Sequence, residues 1–273
     1  MTFDGRDRYL QVLGARLRFR DTGSGPPVLL LHGWTLGLEM WDPQTAALSQ
    51  QFRMVRVDRR GFGLSTGKAS VIDDAADVAA LCAHLGIGRV ALVGMSQGSR
   101  AAVRVAATEP ALICCLVLDG PSPAIVDSSA PDPDLPLAQF RQLAQRDGID
   151  AFRHVWARHP MTELHTRNAD TRVLLDRLLA RYRGEDLLQA AEAAASNATM
   201  PALESIAQPT LVICGELDVP SRRSAATVIA RKVPAAELFQ VPGAGHLANL
   251  DDPPAYNAAL SRFLRRHAVI SAD

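Results

Sequence analysis

The 273-residue chain has no excess of either charge: 29 Lys and Arg stand against 29 Asp and Glu. Without a basic block or stripe there is nothing to hold a phosphate backbone or an anionic bilayer, so neither nucleic acid nor membrane is expected as a partner. No apolar run approaches the roughly 18 residues needed to span a bilayer. The opening MTFDGRDRYL carries charges where a secretory leader has its apolar core, so no leader is expected there and a cytoplasmic protein is the expectation. Cysteine is scarce. Cys82, Cys114, Cys115 and Cys214 lie in apolar stretches rather than at metal-ligand spacing and read as reduced core residues. Cys114 and Cys115 are neighbours on an expected strand and should point to opposite faces. Internal repeats are absent, and Gly86, Gly88 and Gly94 do not make the G-x-G-x-x-G of a dinucleotide site. No metal or organic cofactor is expected.

The chain has many short apolar runs, and 48% of its residues are hydrophobic, enough for one large core or a core with an insertion. Tyr9 to Leu13, Gly14-Ala15 and Arg16 to Arg20 read as a hairpin. Val28–Leu31, Met54–Val57, Val90–Val93, Ile113–Leu118 and Thr210–Cys214 suit strands buried on both faces of a parallel sheet. Between them, Asp73–Leu85 and Ser96–Thr108 have helical spacing, stopped by Gly86 and Pro110. This alternation predicts an α/β fold wound through βαβ units. It breaks once. From 122 to 205 there is no strand signal, only SAPDPDLPLAQF and helical stretches at Leu137–Arg146, Ile149–Arg158, Ala169–Tyr182 and Glu185–Ala195, the last running into the alanine-rich AAEAAASNA. We therefore expect a core of residues 1–121 and 206–273, with a helical cap of residues 122–205 over the crevice at the strands' carboxyl ends.

The most informative stretch is GMSQGS, residues 94–99, between an expected strand and an expected helix. A sharp strand-to-helix turn strains its central residue, and the residues two places either side must be small. Gly94 and Gly98 meet that need and lift the Ser96 hydroxyl into the open. The Gln97 N–H, at a helix N-terminus, suits an oxyanion. A serine needs a base, and the base needs an orienting acid. CGELDVPS places Asp218 just past one strand. VPGAGHLANL places His246 in a glycine-rich loop past another, after Glu237–Val241. The order Ser, Asp, His beyond three strand ends is that of the α/β-hydrolases. A competing acid is Asp119 in LVLDG.

With these residues the chain as a whole resembles the α/β-hydrolase family. LLLHGW at 29–34 is similar to its oxyanion loop, DRRGFGLS at 58–65 to its D-x-R-G-x-G-x-S loop, GELD to its acid turn and PGAGH to its base loop. The resemblance implies a mostly parallel sheet of about eight strands flanked by helices. It also implies Ser96 as nucleophile, His246 as general base then acid, Asp218 as orienting carboxylate, and the backbone N–H groups of Trp34 and Gln97 as oxyanion hole. Serine rather than aspartate at the turn sets the chain apart from haloalkane dehalogenases and epoxide hydrolases. HGWT in place of HGGPG sets it apart from proline iminopeptidases.

The remaining chemistries are ester, enol-lactone and carbon–carbon bond hydrolysis and cofactor-free haloperoxidation, and the PGAGHLANLDDP stretch resembles the esterase and enol-lactonase branch. The expected partner is a small-molecule ester or lactone. A homodimer is the assembly the sequence leaves room for, and a small-molecule receptor on the same scaffold is the rival from another class. Trp34, Met95, Gln97, Trp156, His159 and Met161 are the candidate pocket residues. His32 is expected to fix its loop by hydrogen bonds, and Asp58, Arg59 and Arg60 to hold theirs by charge-assisted contacts. His84, His154, His159, His165 and His267 read as surface or helix-face residues. So do the arginines at 141, 146, 153 and 158, whose other reading is a polar handle for a carbon–carbon bond substrate.

Overall fold

A computed structural model describes residues 3–189 and 200–268. The first strands are β1 (Phe3–Asp4), β2 (Arg8–Val12) and β3 (Ala15–Gly23), joined antiparallel; β2 and β3 form the expected hairpin. The two-residue β1, too short for any periodicity, was not legible in the sequence. Six parallel strands follow: β4 (Pro27–Leu31), β5 (Arg53–Val57), β6 (Val90–Met95), β7 (Ile113–Asp119), β8 (Thr210–Gly215) and β9 (Ala236–Val241). The sheet runs β1-β3-β5-β4-β6-β7-β8-β9, with β2 on β3, nine strands in all.

Every residue of β4, β6 and β8 is buried, as the unbroken apolar runs require of strands covered on both faces. Alternate residues feed two cores. Val28, Leu30, Ala91 and Val93 pack on one side, and Leu29, Leu31, Leu92 and Val90 on the other. Helices α1 (Asp42–Leu48), α2 (Asp73–His84), α3 (Gln97–Thr108), α8 (Pro220–Lys232) and α10 (Pro253–His267) lie beside the sheet. Cys114 corrects one expectation. The β6–β7 register slips there, so that Ile113 pairs with Val90 and Cys115 with Ala91. This bulge breaks the two-residue period, and both cysteines contact the same core rather than opposite faces. All four cysteines are free thiols.

From β4 the chain steps outward to β5, then crosses back to β6 on the other side of β4. That reversal opens a crevice at the carboxyl ends of β4 and β6. Between β7 and β8 lie α4 (Leu137–Asp147), α5 (Ile149–Trp156), α6 (Ala169–Arg181) and α7 (Glu185–Leu188), with no strand among the described residues. Gly148, at φ +88, breaks α4 from α5. Residues 190–199, including the alanine-rich stretch, lie outside the described residues. A short helix, α9 (Ala248–Asp251), follows the loop after β9. Among the described residues no helix is long and apolar enough to cross a membrane.

Arg183, just past α6, grips the DRRGFGLS loop through the carbonyls of Gly63 (2.5 Å), Ser65 (3.0 Å) and Gly61 (3.1 Å). Arg153 of α5 donates to the Tyr182 carbonyl at 2.5 and 2.8 Å. It is therefore a strut between inserted helices, not a solvated face.

Candidate active site

Ser96 stands between β6 and α3 at φ 51, ψ −113, a conformation that costs a non-glycine residue on the order of 1–3 kcal/mol. Its neighbours show why the turn is glycine-flanked. A Cβ on Gly94 would lie 2.5 Å from the Gly98 carbonyl oxygen, and one on Gly98 would lie 2.6 Å from that of His32. Neither contact is attainable without moving backbone. The Ser96 N–H donates to the Asp119 carbonyl at 2.8 Å, tying the turn to β7.

His246 reaches this hydroxyl from the loop after β9. Its Nε2 lies 3.0 Å from Ser96 Oγ, and its Nδ1 lies 3.0 and 3.1 Å from the two carboxylate oxygens of Asp218. Ser96 is 5% exposed, His246 3% and Asp218 2%. Asp218 also accepts from the Val219 N–H at 2.7 Å and the Cys214 thiol at 3.6 Å. The two loops are locked together, Leu217 N–H to the Ala244 carbonyl and Gly243 N–H to the Glu216 carboxylate, both at 2.8 Å. Gly120, at φ +48, leaves room for the imidazole: a Cβ there would lie 2.9 Å from His246 Nδ1. The sequence therefore brings residues 96, 218 and 246 into one hydrogen-bonded line. Asp119, the competing acid, has no bond to His246. Its Oδ2 accepts from the Tyr256 hydroxyl at 3.1 Å, and its Oδ1 has no hydrogen-bond partner among the described residues. Burial pushes its pKa well above its ordinary value.

His32 has the expected structural role. It accepts from the Arg59 N–H at Nε2 (2.9 Å), so Nδ1 carries the proton and donates to the Gly33 carbonyl at 2.7 Å. Burial and the nearby Arg59 push its pKa down to about 3. Between about 6.5 and about 3 the unfolded chain binds a proton that the folded chain does not, so stability from this site falls as pH falls through that window. The gap in unfolding free energy between wild type and His32→Gln should narrow by roughly 2 kcal/mol from pH 7 to pH 5. Urea titrations at both pH values measure it, and buried carboxylates common to both proteins cancel. An unchanged gap would contradict a neutral, buried His32.

The loop at 58–65 is held as expected. Arg59 pairs with Asp74 and Arg60 with Asp77, while Asp58 accepts from the N–H groups of Leu38 (2.7 Å) and Leu64 (2.8 Å). Arg59 also donates to the Gln97 side-chain oxygen at 2.9 Å, a contact between loop and nucleophile turn that spacing could not show.

Above Ser96 opens a cavity of about 580 Å³. Of the candidate pocket residues, Trp34, Met95, Gln97, Trp156 and Met161 line it, and His159 does not. Trp34 packs against Trp156, Phe152 and Tyr182 at centroid distances of 5.0, 5.6 and 5.8 Å. Arg141, Arg222 and Asp186 are wall residues that are not among the pocket candidates. Arg141 of α4, read as a solvated helix-face residue, lines the cavity and donates to the Leu187 carbonyl at 3.1 Å. Arg222 lines it in a bidentate pair with Asp132, at 2.7 and 3.0 Å. Asp186 accepts from Trp34 Nε1 at 2.7 Å. His159 is half-buried and stacked on Trp156 at 4.7 Å, not a surface residue. No cluster of three His, Cys, Asp or Glu able to hold a metal occurs among the described residues.

Serine, imidazole and carboxylate in line at a strand-to-helix turn define the class to which this site is similar. Residues 26–253 match the family described as the alpha/beta hydrolase fold, and the chain belongs to the α/β-hydrolase family. It is 29% identical over 247 residues, 88% of this chain and 96% of the relative, to a pimeloyl-(acyl-carrier protein) methyl ester esterase of Nitrosomonas europaea. Among solved structures it is similar to a thermophilic esterase from Thermogutta terrifontis, at TM-score 0.81 and 26% identity over 96% of this chain and 98% of that one. It is also similar to the enol-lactonase from Burkholderia xenovorans LB400, at TM-score 0.75 and 25% identity over 94% of this chain and all (100%) of that one.

Proposed function

We propose that the chain is a serine hydrolase of small to medium carboxylic esters or lactones, acting through an acyl-enzyme. The observation that carries this reading is the unbroken line from Ser96 Oγ through His246 to Asp218. His246 Nε2 takes the hydroxyl proton as Ser96 Oγ attacks the carbonyl carbon, and Asp218 steadies the imidazolium. The Gln97 N–H, at the first position of α3, and the Trp34 N–H receive the oxyanion, each worth on the order of 3 kcal/mol. His246 returns the proton to the departing alkoxide, then activates a water that releases the acid.

The helices between β7 and β8 act as the cap. They supply Trp156 and Met161 to the cavity wall, and that wall is mainly apolar, which favours an acyl chain over a charged one. Each buried methylene contributes about 0.8 kcal/mol, so kcat/KM should rise about fourfold per methylene until the cavity is filled. Arg141, reaching the wall from α4, supports the second reading of carbon–carbon bond hydrolysis, where a fixed cation would hold a polar substrate. A panel of p-nitrophenyl esters from acetate to decanoate, with simple lactones, tests the first reading. We expect turnover with a maximum at intermediate chain length. Inactivity on every member would leave the carbon–carbon reading standing in its place.

A further inference from the structure

Only two non-glycine residues among those described have φ in the left-handed region: Ser96, at 51, and Thr35, at 63. The strain at Ser96 belongs to the nucleophile turn. Thr35, β-branched and poorly suited to that region, is the residue after Trp34 in the loop from which the second oxyanion donor comes. Strain of this kind persists only where the surroundings over-determine it, and here the surroundings are the inserted helices. The Trp156 indole N–H, at the end of α5, donates to Thr35 Oγ1 at 2.8 Å across 121 positions of sequence. Asp186, in α7, accepts from the Trp34 indole N–H at 2.7 Å across 152 positions. Its other oxygen accepts from the Tyr182 hydroxyl, also at 2.7 Å. Two separate cap segments thus hold two consecutive residues of one loop. Each holds a side chain, which leaves the backbone N–H groups for another task.

We propose that Trp156 and Asp186 are positioning residues that set the 34–35 loop so that the Trp34 N–H points at the oxyanion. The hole is then complete only when the cap is seated, and catalysis and cap closure are coupled through two hydrogen bonds. The proposal rests on the reading of Ser96 as nucleophile and Trp34 as donor.

The interaction lies with the developing oxyanion, so its loss should appear in kcat rather than KM. Trp156→Phe keeps a buried ring without the N–H, and Thr35→Val keeps the shape without the acceptor. Each should lower kcat on a p-nitrophenyl ester by roughly ten- to a hundredfold, with KM within about twofold. The double variant should be no worse than either single one, since both break one bond. Inhibition by phenylboronic acid, whose tetrahedral adduct places an oxygen in the hole, should weaken in proportion to kcat/KM. Asp186→Leu should behave likewise. Asp186→Asn should recover most of the activity, because its amide oxygen can accept from Trp34 while its NH2 donates to Tyr182. If Asp186→Leu does not fold, Trp156→Phe and Thr35→Val decide the matter alone.

A residue that only shapes the acyl pocket would move KM and chain-length preference and leave the boronate affinity unchanged. That result, or additive losses in the double variant, overturns the proposal. Ser96→Ala separates the two failures. If it stays active, the hydrolase reading falls. If it is inactive while the Trp156 and Thr35 variants match wild type, only the positioning role falls.

Discussion

Ser96→Ala is expected to lower kcat on the preferred ester by about 10⁴-fold or more, leaving the activity of binding and the oxyanion donors alone. The expected loss is large because in the proposed mechanism the hydroxyl forms the acyl bond, and the hydrogen bond of His246 Nε2 among the described residues is its 3.0 Å contact with that hydroxyl. The fold should survive. The side chain is small, and the substitution leaves in place the flanking Gly94 and Gly98 and the bond from the residue 96 N–H to the Asp119 carbonyl that tie the turn down. Steady-state rates, with circular dichroism and a thermal melt as controls, measure it. An alanine variant within tenfold of wild type would remove Ser96 from the chemistry.

The second large effect separates two buried carboxyls. Asp218→Asn should lower kcat by about 10⁴-fold, the scale found where an amide replaces a triad acid and favours the wrong imidazole tautomer. An asparagine can present its NH2 to Nδ1, which drives the proton to Nε2, where it can no longer accept from Ser96. Asp119→Asn should cost less than tenfold. Burial disfavours its charged form, and an amide offers the same shape and the same acceptor to the Tyr256 hydroxyl. The ratio of the two losses in kcat is the readout. A reversed ratio would make Asp119 the orienting acid and require His246 to turn towards β7.

The parts of the site legible in the sequence are those fixed by local rules. The elbow could be read because glycines at 94 and 98 answer a clash that any side chain would create within five residues. The parallel strands could be read because β4, β6 and β8 are almost wholly apolar, as burial on both faces demands, and every position in them is buried. Asp218 could be placed because it follows β8 by a few residues, and His246 because it sits in a glycine-rich loop just past β9. What escaped depends on how separate elements pack. The bulge at Cys114 has no signature in a run of apolar residues. The contact of Asp186 with Trp34 joins residues 152 positions apart and depends on how α7 packs in three dimensions. Arg141 and Arg153 look like solvated helix-face charges by spacing, yet one lines the cavity and the other ties α5 to the end of α6. The left-handed Thr35 was invisible for the same reason: its hydroxyl accepts from an indole 121 positions away.

The most direct test is covalent. Diethyl p-nitrophenyl phosphate should transfer one diethylphosphoryl group to Ser96 Oγ, releasing one equivalent of p-nitrophenol as esterase activity is lost. Peptide mass spectrometry would locate the adduct. One group on the peptide containing Ser96, and none in Ser96→Ala, is the expected result. Full loss of activity with the label on another residue, or an active protein that takes no label, would contradict the assignment of Ser96 as the nucleophile.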